Sequence, residues 1–92
     1  MAIKKIRHAG LRDLYDHEST RRIDKRFQSK LKQMLDMLDA ATGPQDLRGV
    51  SGFHPLKGDR AGEYAMIVTR NYRLTFRFEN RDATDVDLED YH

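Results

Sequence analysis

Cysteine is absent from the sequence, and its absence removes several classes of function. Without cysteine a protein has no disulfide framework, no thiol nucleophile and no cysteine-ligated zinc or iron–sulfur site. Long hydrophobic runs are missing as well, since the longest run of large aliphatic side chains is Met66-Ile67-Val68. No transmembrane span is predicted, and the basic start lacks the apolar stretch of a signal peptide. We therefore expect a cytoplasmic protein.

Large apolar residues are also scarce. Leu, Ile, Val and Phe together make up 20 of the 92 residues, whereas charged residues make up 35%. So few apolar residues indicate disorder when the net charge is high, but here the formal net charge is only +2, which favours folding. The length predicts a single domain over residues 1–92 with a thin hydrophobic core.

Charge is unevenly distributed along the chain. Residues 1–81 contain all 17 basic residues and 10 acidic ones, a net charge of +7, whereas residues 82–92 contain five acids and no basic residue. A basic region of this kind is typical of proteins that bind polyanions. In the acidic segment Val86 and Leu88 alternate with acids, which favours the outer face of a half-buried strand over a disordered tail.

The first half of the chain is predicted to be mainly helical. Ile3 and Ile6 suggest a short first strand, and residues 11–15 suggest a short helix. A longer helix is expected over residues 20–41, with Ser19 or Thr20 as its cap. One face of this helix carries apolar residues at spacings of three and four: Ile23, Phe27, Leu31, Met34, Leu35, Leu38 and Ala41. A further helical turn is expected through Leu47.

The second half changes to the two-residue period of strands. Residues 63–69 contain the apolar run and predict a buried strand, and residues 72–78 alternate strictly between apolar and polar side chains. A last strand is expected over residues 83–90. This order predicts an α+β fold, with an N-terminal strand and helices packed on a mainly antiparallel sheet.

Three places in the sequence concentrate groups that can carry chemistry. The first is a loop over residues 53–60, which contains His54 and several charged residues. The second is the outward face of the strand at residues 72–78, with Arg73 and Arg77. The third is the terminal Asp90-Tyr91-His92.

Metal-free cleavage of RNA needs side chains of these types. A base must take the 2′-hydroxyl proton, cations must stabilise charge on the phosphate, and an acid must protonate the leaving oxygen. Histidine transfers protons near neutral pH, and lysine and arginine bind phosphate. Aromatic rings stack unpaired bases, and four are available in Phe53, Tyr64, Tyr72 and Tyr91. The composition therefore matches a small ribonuclease.

Each of these residues also has an ordinary structural interpretation. His54 can be a surface loop histidine, and the terminal triad can be frayed. The two strand arginines can pair across the sheet with Asp85 and Asp87, and Tyr64 can lie at the edge of the core. A metal site built from the acids and histidines has no recognised ligand spacing.

Several segments occur in an order that carries a resemblance. They are His54-Pro55-Leu56-Lys57-Gly58-Asp59-Arg60, Gly62, the strand around Tyr64, Asn71-Tyr72-Arg73-Leu74-Thr75-Phe76, and the terminal Glu89-Asp90-Tyr91-His92. In this order, and over nearly the whole chain, they resemble the HigB toxins. These toxins belong to the RelE/ParE superfamily of bacterial toxin–antitoxin systems.

The resemblance implies a compact RelE-like fold. It also implies a ribosome-dependent endoribonuclease that cuts translated mRNA, needs no metal or other cofactor, and inhibits translation and growth. The implied catalytic residues are His54, Asp90, Tyr91 and His92. His54 and His92 are the candidates for general acid and base, whereas Asp90 acts as the base or orients a histidine, and Tyr91 positions the substrate or contributes to the chemistry. The implied substrate-binding residues are Lys57, Arg60, Tyr64 and Arg73.

The resemblance also implies partners. They are a HigA-like helix-turn-helix antitoxin, the ribosome with its ribosomal RNA, and mRNA, with operator DNA contacted only through the antitoxin. An alternative is a ParE-like toxin that inhibits DNA gyrase by surface contact and has no enzyme activity. His54, Lys57, Arg73 and His92 together favour the ribonuclease, because a protein that acts by contact alone has no need of that set.

Overall fold

The structure is a computed structural model, and it describes residues 3–19, 21–50 and 52–90. Within these residues the chain forms two α-helices, α1 (Ala9–His17) and α2 (Gln28–Ala40). It also forms four β-strands: β1 (His54–Pro55), β2 (Glu63–Ile67), β3 (Tyr72–Glu79) and β4 (Asp82–Asp90). Two short 3₁₀ turns, Pro44–Leu47 and Gly58–Arg60, lie between α2 and β2.

The four strands form one antiparallel sheet in the order β1-β2-β3-β4. The N-terminal segment lies along β4 in the parallel direction, through bridges between Ile3 and Ala83 and between Ile6 and Val86. Its backbone N–H groups donate to the carbonyls of these two β4 residues at 2.7 Å. The α+β class and the antiparallel sheet are confirmed, and the expected first strand is reduced to this pair of bridges.

Helix α1 begins earlier than the apolar spacing indicates, because a histidine caps it. His8 Nδ1 accepts a hydrogen bond from the backbone N–H of Leu11 at 3.2 Å. At the other end Glu18 adopts a left-handed conformation, and its N–H donates to the carbonyl of Leu14 at 3.0 Å. The spacing of apolar residues does not reveal such caps, since they depend on polar side chains at the ends.

The prediction of a helix over residues 20–41 is wrong in its first third. Helix α2 begins at Gln28, and residues 21–27 form turns. Asp24 explains the difference: its Oδ1 accepts from the backbone N–H of Arg26 at 2.9 Å, which holds the chain in an Asx turn instead of a helix. Ile23 is nevertheless buried, so its apolar spacing was informative about the core but not about the helix.

The core lies between the two helices and one face of the sheet. The helices contribute Leu11, Leu14, Leu31, Met34, Leu35 and Leu38, and the sheet contributes Met66, Leu74, Phe76 and Val86. In β3 the even-numbered residues face this core, as predicted, although Phe78 is only half-buried. Among the described helices, none has the length and apolar character needed to cross a membrane.

Tyr15 connects α1 to α2 through a partly buried hydrogen bond. Its hydroxyl donates to Asp39 Oδ1 at 2.5 Å, and partial burial together with this bond raises the pKa of Tyr15. We expect Tyr15→Phe to lower the free energy of unfolding by about 1 kcal/mol, because Asp39 loses its donor. Urea denaturation measures this. The contact would be ruled out as a source of stability if Tyr15→Phe and Asp39→Ala had strictly additive effects.

Candidate active site

The strands that carry the predicted functional segments begin or end toward one end of the sheet, with His54 in register with Ala65 and Thr75, three positions inside the Tyr72–Asp90 pair. His54 begins β1, Ile67 ends β2, Tyr72 begins β3 and Asp90 ends β4. We call the end defined by these four residues the site end. Tyr91 and His92, both predicted to be catalytic, lie outside the described residues and follow Asp90 directly in the sequence.

His54 and Asp90 lie on the two outer strands of the four, and Asp90 is exposed. Strands in a sheet are about 4.8 Å apart, so three steps separate β1 from β4 by roughly 14 Å. The two side chains are therefore too far apart for a direct hydrogen bond. A ligand that contacts both must span the site end.

His54 lies in a strand where the sequence predicted a loop. It pairs with Ala65, and the next residue, Pro55, pairs with Tyr64. Pairing continues through the N–H of Leu56, which donates to the carbonyl of Glu63 at 2.8 Å. Proline has no N–H for a central ladder and is tolerated at a sheet edge, which explains why the strand is short and outermost. The strand gives exposed His54 a defined backbone position.

The backbone carbonyl of Gly52 determines the tautomer of His54. His54 Nδ1 and the Gly52 oxygen are 2.7 Å apart, and a carbonyl can only accept, so Nδ1 donates its hydrogen. In the neutral ring Nε2 is then the unprotonated nitrogen. The arrangement leaves a basic nitrogen on an exposed imidazole at the site end.

Arg60 lies at the centre of a charged network on the outer face of the sheet, away from the helices. Its guanidinium donates to Glu63 at 3.1 and 2.8 Å and to Glu89 at 2.9 and 2.5 Å. These bonds raise the pKa of Arg60 and lower the pKa of Glu63. Arg60 thereby joins the 3₁₀ turn Gly58–Arg60 to β2 and β4.

Glu89 is the shared acceptor of this network. Besides Arg60, it accepts from Arg73 Nε and from a terminal nitrogen of the same guanidinium, both at 3.2 Å, and from the hydroxyl of Thr75 at 3.1 Å. The hydrogen bonds from Arg60 outweigh partial burial and lower the pKa of Glu89 to about 2. Two of the predicted substrate-binding cations, Arg60 and Arg73, are thus held by the residue that precedes Asp90.

The other strand arginine pairs across the sheet, which was one of the two alternatives. Arg77 lies 3.6 Å from Asp85, and Arg7 lies 3.7 Å from the same side chain. Asp85 sits at an irregularity in the β3–β4 ladder with a positive φ of 53°. Acids of strand β4 therefore form ion pairs with arginines from three other parts of the chain: the N-terminal segment, the turn Gly58–Arg60 and β3.

Tyr64 lies on the opposite face of the sheet from His54. Its ladder partner is Phe76, which is fully buried, whereas His54 pairs with Ala65 on the outer face. The Tyr64 ring packs with Phe53 and Phe76 at centroid distances of 5.6 and 6.0 Å. Tyr64 therefore lies at the edge of the core, which was the structural alternative to stacking a base.

Several residues that shape this end were not predicted from the sequence. Gly52, Glu63, Thr75 and Glu89 act through their contacts with His54, Arg60 and Arg73. The sequence contained one usable signal, the alternation of acids with Val86 and Leu88, which placed Glu89 on the outer face. In the described ranges no three or more of His, Cys, Asp and Glu are grouped so that they could hold a metal ion.

Comparison with known proteins establishes the family. Residues 4–92 match the family of RelE-like toxins of the type II toxin–antitoxin system HigB. The chain belongs to this family. A curated relative, "Endoribonuclease HigB" of Proteus vulgaris, is 37% identical over 91 residues, which cover 98% of this chain and 99% of the relative. The resemblance to HigB toxins is confirmed, and membership of a toxin–antitoxin system implies an antitoxin partner.

Solved structures support the fold independently. A YoeB dimer from Staphylococcus aureus aligns with a TM-score of 0.65 at 18% identity, covering 100% of this chain and 97% of that chain. A YoeB/ParE toxin from Agrobacterium tumefaciens aligns with a TM-score of 0.56 at 18% identity, covering 100% and 99%. The RelE-like fold expected from the sequence is confirmed.

Proposed function

We propose that this chain is an endoribonuclease that cuts mRNA on the translating ribosome without a metal ion. The Proteus vulgaris relative that matches nearly the whole chain is named for endoribonuclease activity. The observation that carries the proposal is His54, which is exposed and has its Nδ1 tied to the Gly52 carbonyl. A histidine held in this way presents Nε2 to the substrate as the nitrogen that accepts or donates a proton.

The proposed reaction is an internal transesterification. The ribose 2′-oxygen attacks the adjacent phosphorus, its proton passes to the base, and the 5′-oxygen of the next nucleotide leaves with a proton from the acid. The products are a 2′,3′-cyclic phosphate and a 5′-hydroxyl. His54 serves one proton-transfer position, and His92 or Asp90 serves the other, while Tyr91 positions the substrate.

We assign Lys57 and Arg73 to stabilising the negative charge that develops on the phosphate. Lys57 is exposed immediately before the 3₁₀ turn Gly58–Arg60, and Arg73 is half-buried with Glu89 fixing its direction. Arg60 makes four hydrogen bonds to two carboxylates, so we assign it to positioning Glu89 and the end of β4. Tyr64 supports β1 from the core side through its ring contacts.

Docking on ribosomal RNA is assigned to the segment that precedes and begins α2. Residues 21–32 contain one acid, Asp24, and six exposed basic residues: Arg21, Arg22, Lys25, Arg26, Lys30 and Lys32. Such a surface binds the phosphate backbone, and its affinity falls steeply with salt. This segment holds six of the 17 basic residues of the basic region at positions 1–81.

Gly52→Ala tests whether the backbone at this position supports His54. Gly52 has a φ of +68°, and an added Cβ would collide with the side chain of Ile67. We expect the backbone to shift and weaken the bond to His54 Nδ1, lowering the cleavage rate about tenfold, since a left-handed position strains alanine by about 1 kcal/mol or more. Gly49→Ala is the control, because Gly49 also has a positive φ but nothing contacts its added Cβ. Equal rates for the two variants would contradict this role.

The function is tested with purified protein and mRNA in two forms, bound to ribosomes and free. We expect cleavage of the ribosome-bound form and a 2′,3′-cyclic phosphate at the new end. Cleavage of free mRNA at the same rate would contradict ribosome dependence, and a 3′-hydroxyl end would contradict attack by the 2′-oxygen. Intact mRNA together with gyrase-dependent DNA breaks would favour the ParE-like alternative.

The antitoxin partner is proposed to be a HigA-like helix-turn-helix protein, with operator DNA bound only through it. Family membership supports an antitoxin of the matching system. Co-expression with a HigA-like antitoxin of the matching system is expected to abolish growth inhibition and to give a complex that binds the operator. Operator binding by the toxin alone would contradict the proposed arrangement.

A further inference from the structure

An aromatic cleft opens beside the site end, and the proposed mechanism does not use it. Phe27, which precedes α2, and Tyr72, which begins β3, have ring centroids 5.4 Å apart with planes at 53°. A cavity of about 340 Å³ lies toward Arg70, and a second of about 230 Å³ lies toward Arg22. Both rings and Arg26 line both cavities. We call the two cavities together the Phe27–Tyr72 cleft.

The charge of the larger cavity suits an anion, whereas the lining of the smaller cavity also includes Asp24. The Arg26 guanidinium lies over the Phe27 ring, 5.3 Å from its centroid, and pairs with Asp24 at 2.9 Å. Arg70 is exposed in the turn between β2 and β3. Among the described residues, the lining of the larger cavity includes these two arginines and no carboxylate. Aromatic faces next to arginines are the usual surface for an unpaired nucleotide, whose base stacks and whose phosphate pairs.

The position of the cleft connects it to the proposed active site. Tyr72 is the ladder partner of Asp90, and residues directly opposite in an antiparallel pair share a face of the sheet. The cleft therefore lies beside the point where β4 ends and the sequence continues with Tyr91 and His92. The cleft lies on the helix face of the sheet, whereas His54 and Arg73 lie on the outer face, so RNA bound in the cleft would reach these two residues around the end of β4.

We propose that the Phe27–Tyr72 cleft binds one unpaired nucleotide of the RNA substrate close to the scissile phosphate, where the RNA passes around the end of β4. The base lies against Tyr72 and Phe27, and the phosphate of that nucleotide pairs with Arg70. This inference rests on the proposed ribonuclease function and adds a substrate subsite to it. Removing one stacked base typically weakens binding by about tenfold or more.

The test combines protein variants with altered mRNA in a single-turnover cleavage assay on ribosomes. Abasic nucleotides are placed one at a time beside the cleaved bond, and the toxin concentration giving half-maximal rate is measured. For the wild type we expect one abasic position to raise this concentration about tenfold. Tyr72→Leu should raise it similarly with the intact mRNA and should be insensitive to that abasic position, whereas Tyr72→Phe should behave as wild type.

A second pair of variants does not depend on altering a half-buried ring. Arg70→Gln should lose sensitivity to a neutral methylphosphonate linkage at the same nucleotide. Arg81→Gln removes a charge in the turn between β3 and β4, at the far end of the sheet, and should retain that sensitivity. The subsite would be overturned if the abasic and methylphosphonate changes raised the half-maximal toxin concentration equally for wild type, Tyr72→Leu and Arg70→Gln. The ribonuclease function would then still stand. No cleavage by the wild type would overturn both.

Discussion

Replacing His54 with alanine is expected to lower the rate of mRNA cleavage on ribosomes by about 10²- to 10⁴-fold, the usual contribution of a general acid or base. The reason is chemical: Gly52 fixes Nδ1 as the donor, so Nε2 is the nitrogen that exchanges a proton with the substrate. His54 is exposed on an edge strand, and its removal takes nothing from the core. The single-turnover rate measures the effect, and growth inhibition should be lost with it.

His17→Ala provides the matched control. His17 is exposed in the last turn of α1, and we expect its variant to cleave at the wild-type rate. The companion variant His92→Ala is expected to lose cleavage as His54→Ala does. A folded His54→Ala protein with undiminished cleavage would remove His54 from the mechanism.

Glu89→Ala is expected to have the largest effect on stability among the charged residues considered. The substitution leaves Arg60 and Arg73 without their shared acceptor, and both guanidiniums are only partly exposed. Hydrogen bonds to charged groups typically contribute 1.5 to 3 kcal/mol, so we expect a loss of about 2 kcal/mol in the free energy of unfolding. Urea denaturation at neutral pH measures it. Glu79→Gln is the control, since Glu79 makes an exposed ion pair with Lys4 and should change stability little.

The same network makes stability depend on pH in a defined direction. The folded pKa of Glu89 is about 2, below the 4.5 of a free glutamate. Between about pH 5 and pH 2 the folded state therefore binds fewer protons than the unfolded state. The stabilisation is fully present above about pH 5 and is lost as the pH falls toward 2. Glu89→Gln should flatten this part of the pH profile. Identical slopes for the variant and the wild type between pH 5 and 2 would contradict the assignment.

The sequence predicted β2, β3 and β4 well because alternation is a local property, whereas β1 was predicted as a loop. Residues 72–78 became most of β3, and the alternation of acids with Val86 and Leu88 became β4 rather than a tail. The start of α2 could not be predicted from spacing, since Ile23 and Phe27 contact the core from turns that Asp24 stabilises. Local competition between a side chain and the helix decided that boundary.

The residue types of the candidate site could be predicted from the sequence, but the hydrogen bonds and ion pairs among them could not. His54 was selected by chemistry, yet its tautomer depends on the Gly52 carbonyl, which no side-chain pattern reveals. Arg60 and Glu89 are 29 positions apart in sequence, and only the sheet brings them together. Arg73 was expected to face the substrate or to pair across the sheet, and its pairing with Glu89 gives it a fixed position.

The acidic final segment also has a clearer role in the folded protein. Its acids Asp85 and Glu89 form ion pairs with arginines of the N-terminal segment, the 3₁₀ turn Gly58–Arg60 and β3. The basic residues at positions 21–32 lie outside this network and supply the proposed RNA-binding surface. The net charge of +2 therefore hides two different surfaces, a sheet face on which arginines and acids pair and a basic segment over residues 21–32.

Transcript-end mapping after induction tests the central claim most directly, with wild-type and His54→Ala proteins expressed at equal levels in the absence of antitoxin. We expect new 5′-hydroxyl ends inside translated reading frames for the wild type. These ends should be absent when translation initiation on the transcript is blocked and absent for His54→Ala. Transcripts left intact by the wild type while growth stops, or the same ends produced by His54→Ala, would contradict the central claim.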